Sequence, residues 1–130
     1  MTLERVLLVA LGGALGGAVR YAASVAAVAW LGVGFPWGTL AVNLAGSFLI
    51  GLVQQFAVDS SLVPENARLF LTTGIMGGLT TYSAFSYETA RLMEANAWAT
   101  AWLYVVLTTA LCLALCFLGI AAGRMLGARD

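Results

Sequence analysis

The chain has 130 residues, 62% of them hydrophobic and 9% charged, with six basic and six acidic side chains and no net charge. Its mean hydropathy of +0.95 excludes a soluble domain, which at this size would be left with far too much apolar surface, and the balanced charge offers no basic face to a nucleic acid. At about 20 apolar residues per crossing, the chain divides into four spanning helices with short connections, an all-α membrane protein with one transmembrane domain over residues 1–130.

The first span is expected over about residues 3–30. Arg5 precedes its apolar run, as in a signal peptide, but the run is too long for one and Arg20 interrupts the place where cleavage would fall, so a retained helix is expected. Gly12, Gly13, Gly16 and Gly17 form two overlapping GxxxG patterns, which let a neighbouring backbone approach closely. Arg20 is the one charge well inside this span. It either snorkels to the interface beside Tyr21 or takes part in ion handling. Gly32, Gly34 and Pro36 mark the first connection.

The second span, about 37–58, carries no interior charge but places Thr39, Asn43 and Ser47 four residues apart, on one slowly drifting helix face. The Asn43 amide needs partners away from water, from a neighbouring helix or from a lined path. A polar turn follows, with Asp59, Ser60, Ser61, Pro64, Glu65 and Asn66, and Pro64 is expected at the first helical position.

The third span, about 65–93, is interrupted in its middle by Gly74 to Ser86, GIMGGLTTYSAFS. Three glycines, two threonines and two serines there predict a break near 74–81, with a short helix through Ile75 before it. Irregular backbone at membrane depth is tolerated only inside protein or beside a water-filled path, and such breaks present free carbonyls and amides to ions. Glu88 and Arg91 are spaced to pair near the membrane surface. The last span, about 98–125, repeats a four-residue polar stripe with Tyr104, Thr108 and Cys112. Cys112 and Cys116 form no CxxC and the chain has no His, so packing rather than metal or redox chemistry is expected of them, with Cys112 facing the path.

Neutral donors on the two stripes and the hydroxyls of Thr80, Thr81, Ser83 and Ser86 favour an anion. There is no Lys, and interior carboxylates of a cation relay are missing. A small multidrug-type proton-coupled exporter would need a carboxylate embedded in the first helix, where only the near-terminal Glu4 is found. No nucleophile with a base, metal cluster or phosphate loop points to an enzyme. Tyr82 and Phe85 either pack in the core or offer electropositive ring edges to an anion.

GALGGAVRY in the first span, WGTLAVNLAGSFLIG in the second and GIMGGLTTYSAFSYET in the third closely resemble the Fluc/CrcB family of fluoride channels, over the whole chain and in the same order. That resemblance implies an antiparallel, dual-topology homodimer in the bacterial inner (plasma) membrane, with two pores for passive, selective fluoride export that lowers cytoplasmic fluoride. It implies a structural sodium ion at the two-fold axis, held by the Gly77 and Thr80 carbonyls. Asn43 then corresponds to the pore-lining amide, Tyr82 and Phe85 to the paired aromatics, and Tyr104, Thr108 and Cys112 to the polar track, with Thr39 and Ser83 as further donors. Arg20 matches the motif arginine and Glu88 the glutamate after the break. The family commonly has Phe and Ser where this chain has Tyr82 and Cys112. With the N-terminus inside, Arg5, Arg68, Arg124 and Arg129 oppose Arg91 and Arg20, a modest bias compatible with both orientations.

Overall fold

The computed structural model describes residues 2–60 and 62–127; Ser61 and Arg129 lie outside the described residues. All its regular structure is helical: α1 Leu3–Leu31, α2 Trp37–Asp59, a third rod over residues 65–79, here α3, then α4 Tyr82–Glu94 and α5 Trp98–Gly127. Three of them, α1, α2 and α5, are long and apolar enough to cross a membrane, and α3 with α4 makes a fourth, interrupted traverse. The chain is therefore a multi-pass helical membrane protein. Gly32 ends α1 at φ 80, a left-handed conformation that suits a residue without a Cβ. Pro64 stands just before Glu65, the first residue of α3, one position earlier than the sequence suggested.

Glycines set which helices touch. A Cβ on Gly12 would lie 2.8 Å from the Gly74 Cα, and one on Gly16 would collide with the Ile75 carbonyl, so α1 and α3 meet backbone to backbone. Only one of the two GxxxG patterns is used in this way; Gly13 and Gly17 would meet nothing within 4 Å. A second seam, between α2 and α5, went unread in the sequence. Gly119 and Gly123 pack on the Phe48 and Leu52 carbonyls, Gly51 packs on Cys116 of α5, and Gly127 faces Asp59. Their four-residue spacing in α5 is the same small-residue signal as in α1.

The break is narrower than the glycine content suggested. Helix persists through Ile75 to Leu79, with a π-helical stretch at Phe70–Met76, and only Thr80 and Thr81 are extended, at ψ 152 and ψ 113. Gly46 of α2 makes room for this point, because a Cβ there would occupy the position of the Thr80 methyl. The two ends of the bundle differ in chemistry. At one, Arg5 pairs with Glu65 at 2.7 Å and Asn66 donates to Glu4 at 3.0 Å, tying α1 to α3. At the other stand all four tryptophans, Trp30, Trp37, Trp98 and Trp102, each exposed.

Candidate functional site

The two polar stripes converge on the break. Asn43 and Ser47 of α2, Thr108 and Cys112 of α5, and Gly77, Thr80, Thr81, Tyr82 and Phe85 around the break line one groove of 620 Å³. Helical four-residue spacing puts each stripe on one face, and the α2–α5 glycine seam turns both faces toward α3 and α4. Within the groove, the Asn43 amide makes a two-point contact with the backbone of one residue: Thr81 N–H donates to Oδ1 at 2.8 Å, and Nδ2 donates to the Thr81 carbonyl at 3.2 Å. This pairing fixes which amide atom is oxygen and leaves one Nδ2 hydrogen uncommitted. Asn43 itself is buried. Across the groove, Thr108 is buried and its Oγ1 has no hydrogen-bond partner among the described residues. A hydroxyl in that state, lining a groove, calls for an external partner.

Beyond the groove lies a second polar cluster. Glu88 of α4 accepts hydrogen bonds from Thr39 Oγ1 of α2 and Tyr104 OH of α5, both at 2.7 Å. Sequence spacing suggested a Glu88–Arg91 pair, but Arg91 pairs with Glu94 at 2.7 Å instead. Glu88 points inward because the α4 face that carries Phe85 also carries residue 88, three positions on. Tyr104 is fully enclosed, with Phe35 set edge-on at 5.3 Å and Phe85 tilted against it at 5.1 Å between ring centroids. Phe85 is thus the wall between the groove and the carboxylate.

The two aromatics at the break differ. Tyr82 and Phe85 lie 5.4 Å apart with planes tilted by 51°, yet Phe85 is buried whereas Tyr82 is 80% exposed. The hydroxyls expected to serve as donors are partly committed. Thr80 Oγ1 donates to the Met76 carbonyl and Ser86 Oγ to the Tyr82 carbonyl, each satisfying helix backbone. Thr81 Oγ1 caps α4 by accepting from Ala84 N–H and shares a proton with Ser83 Oγ at 3.2 Å, and Ser83 does not line the groove. Arg20 lines neither the groove nor the pocket beside Glu88, and among the described residues it forms no ion pair. Thr72 and Thr73, not singled out from sequence, also line the groove; an adjacent threonine pair in an apolar helix was the available signal.

The carbonyls of Gly77 and Thr80 suit a hard cation. In a continuous helix the Thr81 N–H would close on the Gly77 carbonyl, but it is given to Asn43, and the helix stops where Thr80 is extended, with both Gly77 and Thr80 lining the groove. Neutral oxygens of this kind are the ligands that hard cations take.

Fold and site together define a small multi-pass helical membrane protein in which two polar stripes meet at an interrupted helix. Residues 7–120 match the family described as CrcB-like protein, Camphor Resistance (CrcB). The chain is 46% identical over 121 residues to a protein of Geobacter metallireducens named fluoride-specific ion channel FluC, covering 93% of this chain and 98% of the relative. Proteins of the same name from Thermus thermophilus and Magnetococcus marinus are 48% and 44% identical, covering 97% and 91% of this chain and 98% and 96% of theirs. The chain belongs to the CrcB family.

Proposed function

We propose that this protein is a fluoride-selective channel that lets fluoride leave the cell passively, in the bacterial inner membrane. The observation that carries the reading is the groove beside the broken helix, lined both by Asn43, with one Nδ2 hydrogen uncommitted, and by Thr108, whose buried Oγ1 has no hydrogen-bond partner among the described residues. A small, tightly hydrated anion needs closely placed donors in place of its water shell, and uncharged donors let it leave again. Thr108 and Asn43, with the Tyr82 and Phe85 ring edges and Cys112, line that stretch. Glu88 holds Thr39 and Tyr104 in place at its end, and Ser83 supports Thr81. The relatives' name, at 44–48% identity over nearly their whole length, points the same way.

Two copies inserted in opposite senses complete the path. The groove is open along one side, where Tyr82, Gly77 and Thr73 are exposed, and a polar surface of this kind inside a membrane requires a protein cover. A sodium ion held by the Gly77 and Thr80 carbonyls would supply fixed positive charge at the meeting of the two breaks. An exporter carrying protons on the first helix finds no support: Glu4 is at the helix end and bonded to Asn66. The test is ion efflux from vesicles containing the purified protein. Fluoride should escape and chloride should not; fluoride loss no faster than from empty vesicles sinks the reading.

A further inference from the structure

Asn43 spends most of its polar capacity on protein rather than on the groove. Its Oδ1 accepts the Thr81 N–H at 2.8 Å and its Nδ2 donates to the Thr81 carbonyl at 3.2 Å, so a single side chain from α2 meets both polar groups of one residue in α3–α4, across 38 positions of sequence. Thr81 is extended, with φ −151 and ψ 113, and stands at the N-cap of α4, so its carbonyl opens the α4 ladder whereas its N–H belongs to no helix. The contact also decides the fate of another group. Were Asn43 absent, the nearest acceptor that helical geometry offers the Thr81 N–H is the carbonyl four residues back, at Gly77. Closing that bond would extend the helix through the break and occupy one of the oxygens available to a cation.

We infer that Asn43 is a positioning residue for the cation site: by holding the Thr81 peptide groups it keeps the Gly77 carbonyl out of the helix and free to bind sodium. The inference rests on the cation reading given above and adds a link between it and the anion path. One amide lines the groove, keeps an Nδ2 hydrogen uncommitted, and controls the oxygen ligand with its carbonyl. Neighbouring contacts act in the same sense. Thr80 N–H and Thr80 Oγ1 both donate to the Met76 carbonyl, and Thr81 Oγ1 caps α4 through the Ala84 N–H, so of the groups at the break the Thr81 N–H is the one that Asn43 takes.

The experiment compares the full chain in lipid bicelles with Asn43→Leu and Asn43→Asp, which have similar volume. Sodium affinity is measured by calorimetric titration with sodium chloride, and the Gly77 carbonyl is followed by its ¹³C resonance in glycine-labelled protein. In Asn43→Leu the resonance should move downfield as the carbonyl accepts the Thr81 amide, and sodium should bind about tenfold more weakly, the loss expected for one good oxygen ligand diverted to a hydrogen bond. In Asn43→Asp the carboxylate still accepts from Thr81 N–H, so the resonance should stay and sodium affinity should not fall, although a charge now stands in the anion path. Equal weakening in both variants, or an unmoved Gly77 resonance in Asn43→Leu, overturns the inference. If Asn43→Leu does not fold, Asn43→Ser replaces it, since its hydroxyl is too short to reach both Thr81 groups. Native protein that binds no sodium would refute the cation assignment itself, while the Gly77 resonance still decides the role of Asn43.

Discussion

At Glu88, hydroxyls from two other helices converge on one carboxylate, and each holds a 2.7 Å hydrogen bond. Hydrogen bonds to charged groups are worth about 1.5–3 kcal/mol, so Tyr104→Phe should lower stability by about that much and slow fluoride efflux, as read by thermal unfolding in detergent and by vesicle assays. A variant as stable and as fast as the native protein would show the cluster to be idle. Phe85 has to be tested differently. It is buried against Leu40 and Tyr104, and Phe85→Ala would open a cavity costing about 3–5 kcal/mol, mixing folding with conduction. Phe85→Leu keeps most of the volume, at a cost below about 1.5 kcal/mol, and removes the ring. Efflux should fall while the protein remains folded, and undiminished efflux would return Phe85 to pure packing. The stripe residues were legible because a helix repeats every 3.6 residues and the polar positions kept to that repeat. Their partners were not, since nothing local says that Thr39 meets a residue 49 positions away, or that Ser86 and Thr80 turn their hydroxyls back to the carbonyl one turn earlier.

Between helices, glycine determines approach, and neighbouring glycines in α1 should behave in opposite ways. Gly12→Ala places a methyl group 2.8 Å from the Gly74 Cα and should cost about 1–3 kcal/mol through forced separation of α1 and α3. Gly13→Ala meets nothing within 4 Å, so unfolding of the separated chain in denaturing detergent should be unchanged or slightly harder. Equal destabilisation by both would contradict the packing described. The presence of close-packed faces was evident from GxxxG spacing, but which of the two overlapping patterns would be used was not, because helix rotation depends on the partner. The break shows the same limit. Three glycines suggested a long irregular stretch, whereas Gly74 and Gly78 serve close contact with α1 inside a continuing helix, and the chain departs from helix only at the two threonines that Asn43 and the α4 cap can satisfy.

For the whole molecule, the two ends carry a modest charge difference, with Arg5, Arg68 and Arg124 opposite Arg91, and short loops read by the positive-inside rule then specify orientation weakly. Single cysteines placed at Gly34 in a Cys112→Ser, Cys116→Ser background should be labelled by an impermeant reagent in about half of the copies in intact cells, and substituting Lys at Val33 and Gly34 should turn most copies to one sense. Labelling of all copies or of none in the native background would refute opposite insertion. The four tryptophans give the chain a built-in reporter of the same property. Since every indole sits on one rim, an aqueous quencher confined outside sealed vesicles should extinguish about half of the intrinsic emission when copies face both ways, each bilayer leaflet then receiving one ring of indoles. A population facing one way would lose nearly all of its fluorescence or almost none, so the light emitted by the unmodified protein reads out its handedness in the membrane.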